Sequence, residues 1–286
     1  MAVSRLDSHG ANIRAINAAK SAGRNARVDS ILIRLSTISQ PDELAGAMLD
    51  RIISAEAVLG QRVPLAVAAY CTENKRAIPG SLSEACREIG YDAVRKIVQI
   101  VGISTVHEEL AIRCGLSKTH LTNQAVAVGV GSEFLAKKAG LSGPLGFSCG
   151  LFANIGVSVL AYCEKGYQGI ESMVAGGTVQ LRDAEARSLD CSHDEAGYCL
   201  LTDYNFPELI AQVAAAHCSS IAAPMVRATA LSESLAHQLG FDGGFAIVPL
   251  PFDEQGFAAL GGTDADAAQL VESMTRWNAL IAKILE

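Results

Sequence analysis

Positive charge is scarce in this chain of 286 residues. It carries 23 Lys and Arg against 30 Asp and Glu, which gives a formal net charge of −7. Proteins that bind nucleic acid rely on clustered basic side chains, which neutralise phosphates and release counterions. The charge balance therefore argues against nucleic acid as a partner.

Long apolar runs are also missing. Residues 1–23 mix charged residues with Ala and lack the apolar centre of a secretory signal. The most apolar window, residues 147–162, is interrupted by Ser, Gly and Asn, and falls short of the roughly 20 apolar residues in a row that span a bilayer. We predict no export and no membrane partner, and we expect this window to be protein core.

Closely paired cysteines are a third absence. The 8 cysteines are scattered through apolar segments, without the spacing of a zinc ribbon or the density of a small secreted scaffold. We therefore expect reduced thiols and a cytoplasmic location. Because half of the residues are hydrophobic, the chain can bury a substantial core without covalent cross-links.

Apolar residues at helical spacing are what the sequence does have. One stripe predicts a single helix, with Ser39 and Asp42 as caps at its start, and consists of Leu44, Met48, Ile52, Ala55 and Leu59. Ser81 and Glu84 have the spacing of a capping box, Gly90 is placed to end that helix, and the next helix begins near Asp92. A terminal amphipathic helix is predicted from Leu270, Met274, Trp277, Ile281 and Ile284.

Two segments are harder to assign. Ala125 to Gly131 fits a strand as well as a helix by pattern, but no other clear strands exist to pair with it, so we predict a helix buried on nearly all sides. Gly240 to Gly262 is rich in Gly and Pro and is predicted to connect helices. The expected fold is all-α with two helical lobes: an extension at 1–23, a helical domain at 24–240, and a loop with a return helix at 241–286.

Four short motifs follow one another between Ser81 and Ser220. They are residues 81–85 with Ile89-Gly90, the segment Gly-Leu-Phe-Ala-Asn-Ile-Gly at 150–156, the set Glu185, His193, Glu195 and Gly197, and Asn205-Phe206-Pro207 followed by His217. In this order they resemble the HDOD family, whose members are helical regulatory relatives of the HD-superfamily metal phosphohydrolases. The resemblance implies an HD-like helical bundle and a role in bacterial signal transduction.

The resemblance also implies that catalysis has been lost. HD hydrolases hold their metal through an adjacent His and Asp, which here are replaced by Ala153 and Asn154. Ala153 has no donor atom, and Asn154 offers only a neutral carbonyl oxygen. The upstream His of the superfamily falls near Gln124, with His120 out of register. We expect no enzyme activity, no metal and no cofactor.

The candidate pocket residues each have a plainer interpretation. Gln124, Asn154, His193 and His217 could line a ligand pocket left by the vanished metal centre. Alternatively, His193 begins a helix capped by Ser192 and Glu195, His217 is a core histidine, and Asn154 bonds a neighbouring backbone. Glu185 is expected on a helix surface or between helices. A zinc site from Cys191, His193, His217 and Cys218 is left open, although their spacing does not require one.

We therefore expect a non-catalytic signalling output domain that acts on a protein partner of unknown identity, as a response-regulator-type or auxiliary protein. A receiver domain needs alternating strands and helices, and none is evident before Ser81. Two alternatives remain: a small-molecule or nucleotide sensor that uses the vacated pocket, and a residual phosphohydrolase with Asp190, His193, Asp194 and His217 as replacement ligands. A homodimer is left open. The Trp277 stripe could be core or a partner-binding face.

Overall fold

The protein is built from α-helices. The computed structural model describes residues 12–111, 115–163, 167–175, 177, 179–219, 223–245 and 252–285, and this part of the chain contains no strand. The all-α prediction is confirmed.

The helices follow one another with short connections. In chain order they are α1 (Ile13–Gly23), α2 (Ala26–Ile38), α3 (Gly46–Ser54), α4 (Ala57–Glu73), α5 (Leu82–Ile89), α6 (Tyr91–Ala111), α7 (Lys118–Lys138), α8 (Gly143–Phe152), α9 (Ile155–Cys163), α10 (Ile170–Val174), α11 (Leu181–Leu189), α12 (His193–Asp203), α13 (Glu208–Ala216), α14 (Pro224–Gln238), α15 (Glu254–Ala259) and α16 (Asp264–Leu285). A short 3₁₀ turn, Tyr167–Gly169, precedes α10.

Helix α7 is the centre of the bundle. It packs against α6, α8, α14 and α16, and nearly every residue from Leu121 to Ala136 is buried. The ambiguous segment Ala125 to Gly131 lies wholly within it, so the prediction of an all-round buried helix is confirmed. On one side of α7, helices α2 to α6 pack on one another. On the other side, helices α1, α9, α12 and α13 pack on one another. The buried apolar residues form one continuous cluster.

The apolar window at residues 147–162 forms most of α8 and α9. The stretch Gly143–Cys163 is long and apolar enough to cross a membrane by length and composition, but 83% of its most apolar window is buried inside the protein. Burial of this degree agrees with the prediction that the segment is core.

Local capping explains several helix ends. The Ser81 side chain accepts a hydrogen bond from the Glu84 backbone N–H at 3.1 Å, and Gly90 at φ 87° ends the helix as predicted. The terminal stripe is also confirmed, because Leu270, Met274, Ile281 and Ile284 are buried. Its Trp277 is half-buried, and the ring packs on Tyr70 of α4 with 5.9 Å between ring centroids.

The predicted helix from Leu44 to Leu59 is wrong as a single element. It is divided into α3 and α4 at Glu56, whose extended backbone begins α4 and whose carboxylate accepts from the Leu59 N–H at 2.6 Å. The start of α3 has no side-chain cap, since the residue there is Ala45 and not Ser39 or Asp42. The apolar spacing continues across the break, which is why periodicity missed it.

The connection predicted at Gly240 to Gly262 contains a helix as well. Helix α15 forms there because the Asp253 carboxylate accepts from the Gly256 N–H at 2.9 Å. Pro249 and Pro251 lie outside the described residues. Within the predicted 1–23 extension, α1 packs on α9 and α12 through its four buried Ala residues. The domain boundaries stay a prediction.

Glycines set the closest helix contacts around α8 and α9. A Cβ at Gly150 would lie 2.5 Å from the Val128 carbonyl oxygen of α7, so α7 and α8 touch through their backbones. A Cβ at Gly156 would lie 1.9 Å from the His193 carbonyl oxygen. Gly156 therefore packs on α12, whereas Gly150 packs on α7.

Candidate functional site

A pocket opens at the junction of α8 and α9, where Ala153 and Asn154 lie. Its volume is about 370 Å³, a size suited to a small ligand. All four residues predicted from the sequence line it: Gln124, Asn154, His193 and His217. The other lining residues are Gln180, Leu181, Arg182, Asp183, Cys218, Ser219, Ala230, Glu233, Ser234 and His237.

Asn154 joins three helices at the floor of this pocket. Its Nδ2 donates to Oε1 of Glu233 on α14 at 2.7 Å, and its Oδ1 accepts from Nε2 of His217 at 3.1 Å. His217 directly follows α13, and its Nδ1 donates to the Ala214 carbonyl at 2.9 Å. Asn154 thus bonds side chains of α13 and α14, whereas the sequence suggested a backbone partner.

His193 is held by a buried carboxylate. It is the first residue of α12 and follows the capping box that Ser192 and Glu195 form, as predicted. Its Nδ1 lies 2.5 Å from Oε2 of Glu185, which also accepts from the His193 N–H at 2.8 Å. The other Glu185 oxygen accepts from the Tyr167 hydroxyl at 2.7 Å. Glu185 is fully buried between α11 and α12, so the surface alternative for it is wrong.

Asp194 places a second carboxylate beside His193. Its Oδ1 lies 2.9 Å from His193 Nε2, and its Oδ2 lies 3.0 Å from Nε of Arg182. Burial alone would lower the pKa of His193, but Glu185 and Asp194 together raise it well above its ordinary value. Burial would raise the pKa of Asp194, and His193 outweighs that effect and lowers it to about 2.

His217 and Glu233 form a second charged pair. The His217 Nε2 lies 3.7 Å from Oε2 of Glu233. Burial opposes charge on His217, but the neighbouring Cys218 and Glu233 raise its pKa. Burial likewise opposes charge on Glu233, and His217 and His237 lower its pKa. Both histidines therefore favour the imidazolium form, in which each ring donates two hydrogen bonds.

Gln124 contributes from α7. Its side-chain amide donates to Nε2 of His237 on α14 at 3.0 Å. His120 is exposed and lies beside Gly244. Gln124 thus lines the pocket and His120 does not, and the correspondence of Gln124 with the upstream superfamily histidine stays a prediction.

Sequence reasoning missed Glu233, His237 and Arg182 in the pocket. Glu233 and His237 are four residues apart on α14 and so face the same side of the helix, but no motif marks them. Of the proposed replacement ligands, His193, Asp194 and His217 come together, whereas Asp190 is exposed and pairs with Arg14 at 3.6 Å. The residues that lie close enough together to suggest a metal cluster are His193, Asp194, His217 and Cys218. Cys191 is buried and is not one of them, so the predicted zinc ligand set differs by having Asp194 instead of Cys191.

The HD-type metal does not fit the residues at the α8–α9 junction. Ala153 is fully buried and has no donor atom. The two polar atoms of Asn154 already bond Glu233 and His217, and neither carries the negative charge that a divalent cation needs from a carboxylate. The ancestral metal chemistry therefore has no support at these two positions.

Comparison with known proteins gives one family and a set of similar folds. A family model described as HDOD domain matches residues 27–220. An HDOD domain protein of unknown function from Geobacter sulfurreducens has a TM-score of 0.72 at 17% identity, with 89% of this chain and 91% of that chain covered. A candidate phosphohydrolase from Shewanella amazonensis SB2B has a TM-score of 0.66 at 15% identity, with 90% and 91% covered.

A candidate signal transduction protein from Marinobacter aquaeolei VT8 has a TM-score of 0.73 at 16% identity, with 99% of this chain and 67% of that chain covered. At these identities the likeness shows the fold alone. No curated protein matches the sequence.

Proposed function

Because this chain belongs to the HDOD domain family, we propose that it is a non-hydrolytic regulatory domain of bacterial signal transduction that acts by contact with a protein partner in the cytoplasm. The observation that carries this proposal is the pair Ala153 and Asn154 at the α8–α9 junction. Ala153 is buried without a donor, and Asn154 is committed to Glu233 and His217.

Chemistry supports a structural use of this position. A metal hydrolase of the HD type uses an Asp carboxylate as a ligand and leaves a coordination position open for water. Here the Asn154 amide replaces that carboxylate, and its N–H and its oxygen are both hydrogen-bonded to side chains of the same protein. Asn154, at the position of the metal-binding Asp, instead links the α8–α9 junction to α14 and to the end of α13.

The same contacts support a mechanism in which the signal is a change in the packing of α14. Helix α14 is tied to the pocket twice, through Asn154 to Glu233 and through Gln124 to His237. A change in either hydrogen bond alters how α14 is held against α7 and α8. A partner protein that contacts these helices can respond to the altered packing, and no catalysed reaction is needed.

Cross-linked affinity purification of the full chain from its native cell tests the partner contact. We expect one partner to be enriched by the wild-type protein and its recovery to change with Asn154→Ala. The matched control is Gln212→Ala, which removes an exposed hydrogen bond to Glu208 on α13. If no partner is enriched by the wild-type or the control protein, action by protein contact is refuted.

A second candidate, a sensor of small molecules or nucleotides, is favoured by the pocket itself. Its volume of about 370 Å³ and its mix of amide, imidazole and guanidinium groups suit a polar ligand. A ligand at one hundred times its Kd should stabilise the fold by about 2.7 kcal/mol. Thermal shifts across a nucleotide panel measure this, and Gln124→Ala should abolish a genuine shift. A flat panel would contradict the sensor function.

A further inference from the structure

We propose that His193, Asp194, His217 and Cys218 form a binding site for one transition-metal ion of the zinc type. The site lies beside the α8–α9 junction and uses neither Ala153 nor Asn154. It stands on its own geometry, so it holds whether or not the proposed function is correct.

The four side chains lie close together, and small movements toward one another would bring their ligand atoms to one ion. Each offers one ligand atom, and these atoms all lie within 4.8 Å of one another. Sγ of Cys218 is 3.6 Å from Nε2 of His193. A tetrahedral zinc with its usual bond lengths places a thiolate sulfur and an imidazole nitrogen about 3.5 Å apart. The carboxylate oxygen of Asp194, at 2.9 Å from the same nitrogen, needs only a small outward movement.

Both imidazole rings are oriented through the nitrogen that faces away from the cluster. His193 Nδ1 bonds the buried Glu185 carboxylate, which Tyr167 supports in turn. His217 Nδ1 bonds the Ala214 carbonyl. A carboxylate or carbonyl that holds one ring nitrogen is the usual support of a metal-binding histidine, because it fixes the ring and the tautomer. The Nε2 of His193 thereby faces Asp194 and Cys218, and the Nε2 of His217, which lies 3.1 Å from Oδ1 of Asn154, is the nitrogen left to bind the ion.

Asp194 gives a second, independent indication. Both of its oxygens are buried without a hydrogen bond of good geometry, although His193 and Arg182 lie at ion-pair distance. Buried oxygens are nearly always hydrogen-bonded, so a carboxylate in this condition calls for a partner. A cation between Asp194, His193 and Cys218 supplies one.

The competing explanation is a metal-free ion pair. In it, His193 carries two protons and lies between Glu185 and Asp194, and His217 donates to Asn154. Metal binding replaces the two Nε2 protons by the ion, and Asn154 loses that hydrogen bond. Access is open, because Cys218 is exposed at the surface of the cluster.

The ligand chemistry selects the class of ion. Two imidazoles, one thiolate and one carboxylate suit Zn²⁺, Co²⁺ or Ni²⁺ and disfavour Mg²⁺ and Ca²⁺, which take oxygen ligands. Four protein ligands close a tetrahedral site and leave no position for a catalytic water. The ion would therefore link the start of α12 to the end of α13 as a structural or regulatory element.

The test is metal binding by the full chain, purified with a chelator and kept reduced. Co²⁺ is titrated and followed by absorption, and Zn²⁺ affinity is measured by competition with a chromogenic chelator. We expect one equivalent, with the intense bands of tetrahedral Co²⁺ and a thiolate charge-transfer band. Cys218→Ser should remove the charge-transfer band and weaken Zn²⁺ binding roughly 100-fold or more.

Cys199→Ser is the matched control, since Cys199 is a half-buried thiol on α12 outside the cluster. It should leave the spectrum and the affinity unchanged. Cys218→Ser should fold, because that side chain is exposed, and circular dichroism checks this. Absence of stoichiometric binding, or equal binding by Cys218→Ser and Cys199→Ser, would overturn the metal site and leave the ion pair as the explanation.

Discussion

Replacing Gly156 with Ala should destabilise the protein, although alanine is the better helix former. Gly156 is the second residue of α9 and faces the start of α12. A Cβ there would lie 1.9 Å from the His193 carbonyl oxygen and 2.6 Å from the Gly197 backbone nitrogen. Both obstacles are backbone, so no side chain can rotate away to make room.

The sign of the effect follows from the magnitudes. In a free helix the change would stabilise by up to about 1 kcal/mol. Cβ atoms are essentially never closer than 3.0 Å to such a neighbour. To bring the new Cβ to that distance from the His193 carbonyl oxygen, the backbones of α9 and α12 must separate by about 1.1 Å. Overpacking of a well-packed core costs about 1–3 kcal/mol, and two rigid helices place this case at the upper end. The net loss is about 2 kcal/mol, and Gly156→Leu loses more.

Urea denaturation followed by circular dichroism measures this loss. The midpoint should fall while the slope stays the same. Gly60→Ala in α4 is the control, because its Cβ would meet its nearest neighbour at an ordinary 3.5 Å, and it should be neutral or slightly stabilising. A midpoint for Gly156→Ala that equals or exceeds that of the wild-type protein would refute the close α9–α12 contact.

Three further predictions concern ionisation, chemistry and hydrogen bonding. Burial lowers the pKa of His107 to about 3, so the unfolded chain binds a proton at this residue more readily than the folded chain does. The stability of the folded state that depends on a neutral His107 is therefore complete above pH 6.5 and is lost as the pH falls. At pH 5 the loss is about 2 kcal/mol, and His107→Gln should remove that part of the pH dependence in denaturation experiments. A slope equal to that of the wild-type protein would contradict a buried neutral His107. Ala153→His with Asn154→Asp should not create robust phosphohydrolase activity, since Gln124 still replaces the upstream histidine; strong metal-dependent turnover by this double variant would show that the rest of the centre is intact. Tyr167→Phe should cost about 1.5–3 kcal/mol in chemical denaturation, because it removes a 2.7 Å hydrogen bond to the buried Glu185 carboxylate, and an unchanged midpoint would count against that bond.

Much of the fold could be predicted because local rules and tertiary packing agree. The pattern of Ala125 to Gly131 fits a strand as well as a helix, and the lack of other strands to pair with it predicts the helix that forms the middle of α7. The division between α3 and α4 was missed because Glu56 acts as a cap through one side-chain bond, while the apolar stripe continues past it. A single such bond leaves no periodic signal.

The pocket could be predicted only where a motif marks it. Asn154, His193 and His217 lie in motifs with a recognisable order, and the structure brings them together. Glu233 is 79 residues from its partner Asn154 and lies in a helix without any motif, so its role depends on how α14 packs. Asp194 is a candidate ligand from its place beside His193 in the sequence, but its proximity to Cys218 depends on how the chain folds.

The proposal that this domain does not hydrolyse phosphate esters is tested most directly by a single-turnover cleavage assay. The full chain, in excess over labelled nucleotides and cyclic dinucleotides, is incubated with Mn²⁺, Fe²⁺, Mg²⁺ or Zn²⁺. The reference is the double variant His193→Ala with His217→Ala. Since Ala153 and Asn154 supply no anionic ligand, we predict that product forms no faster with the wild-type protein than with this variant. Metal-dependent cleavage by the wild-type protein that the double variant lacks would contradict a non-hydrolytic domain.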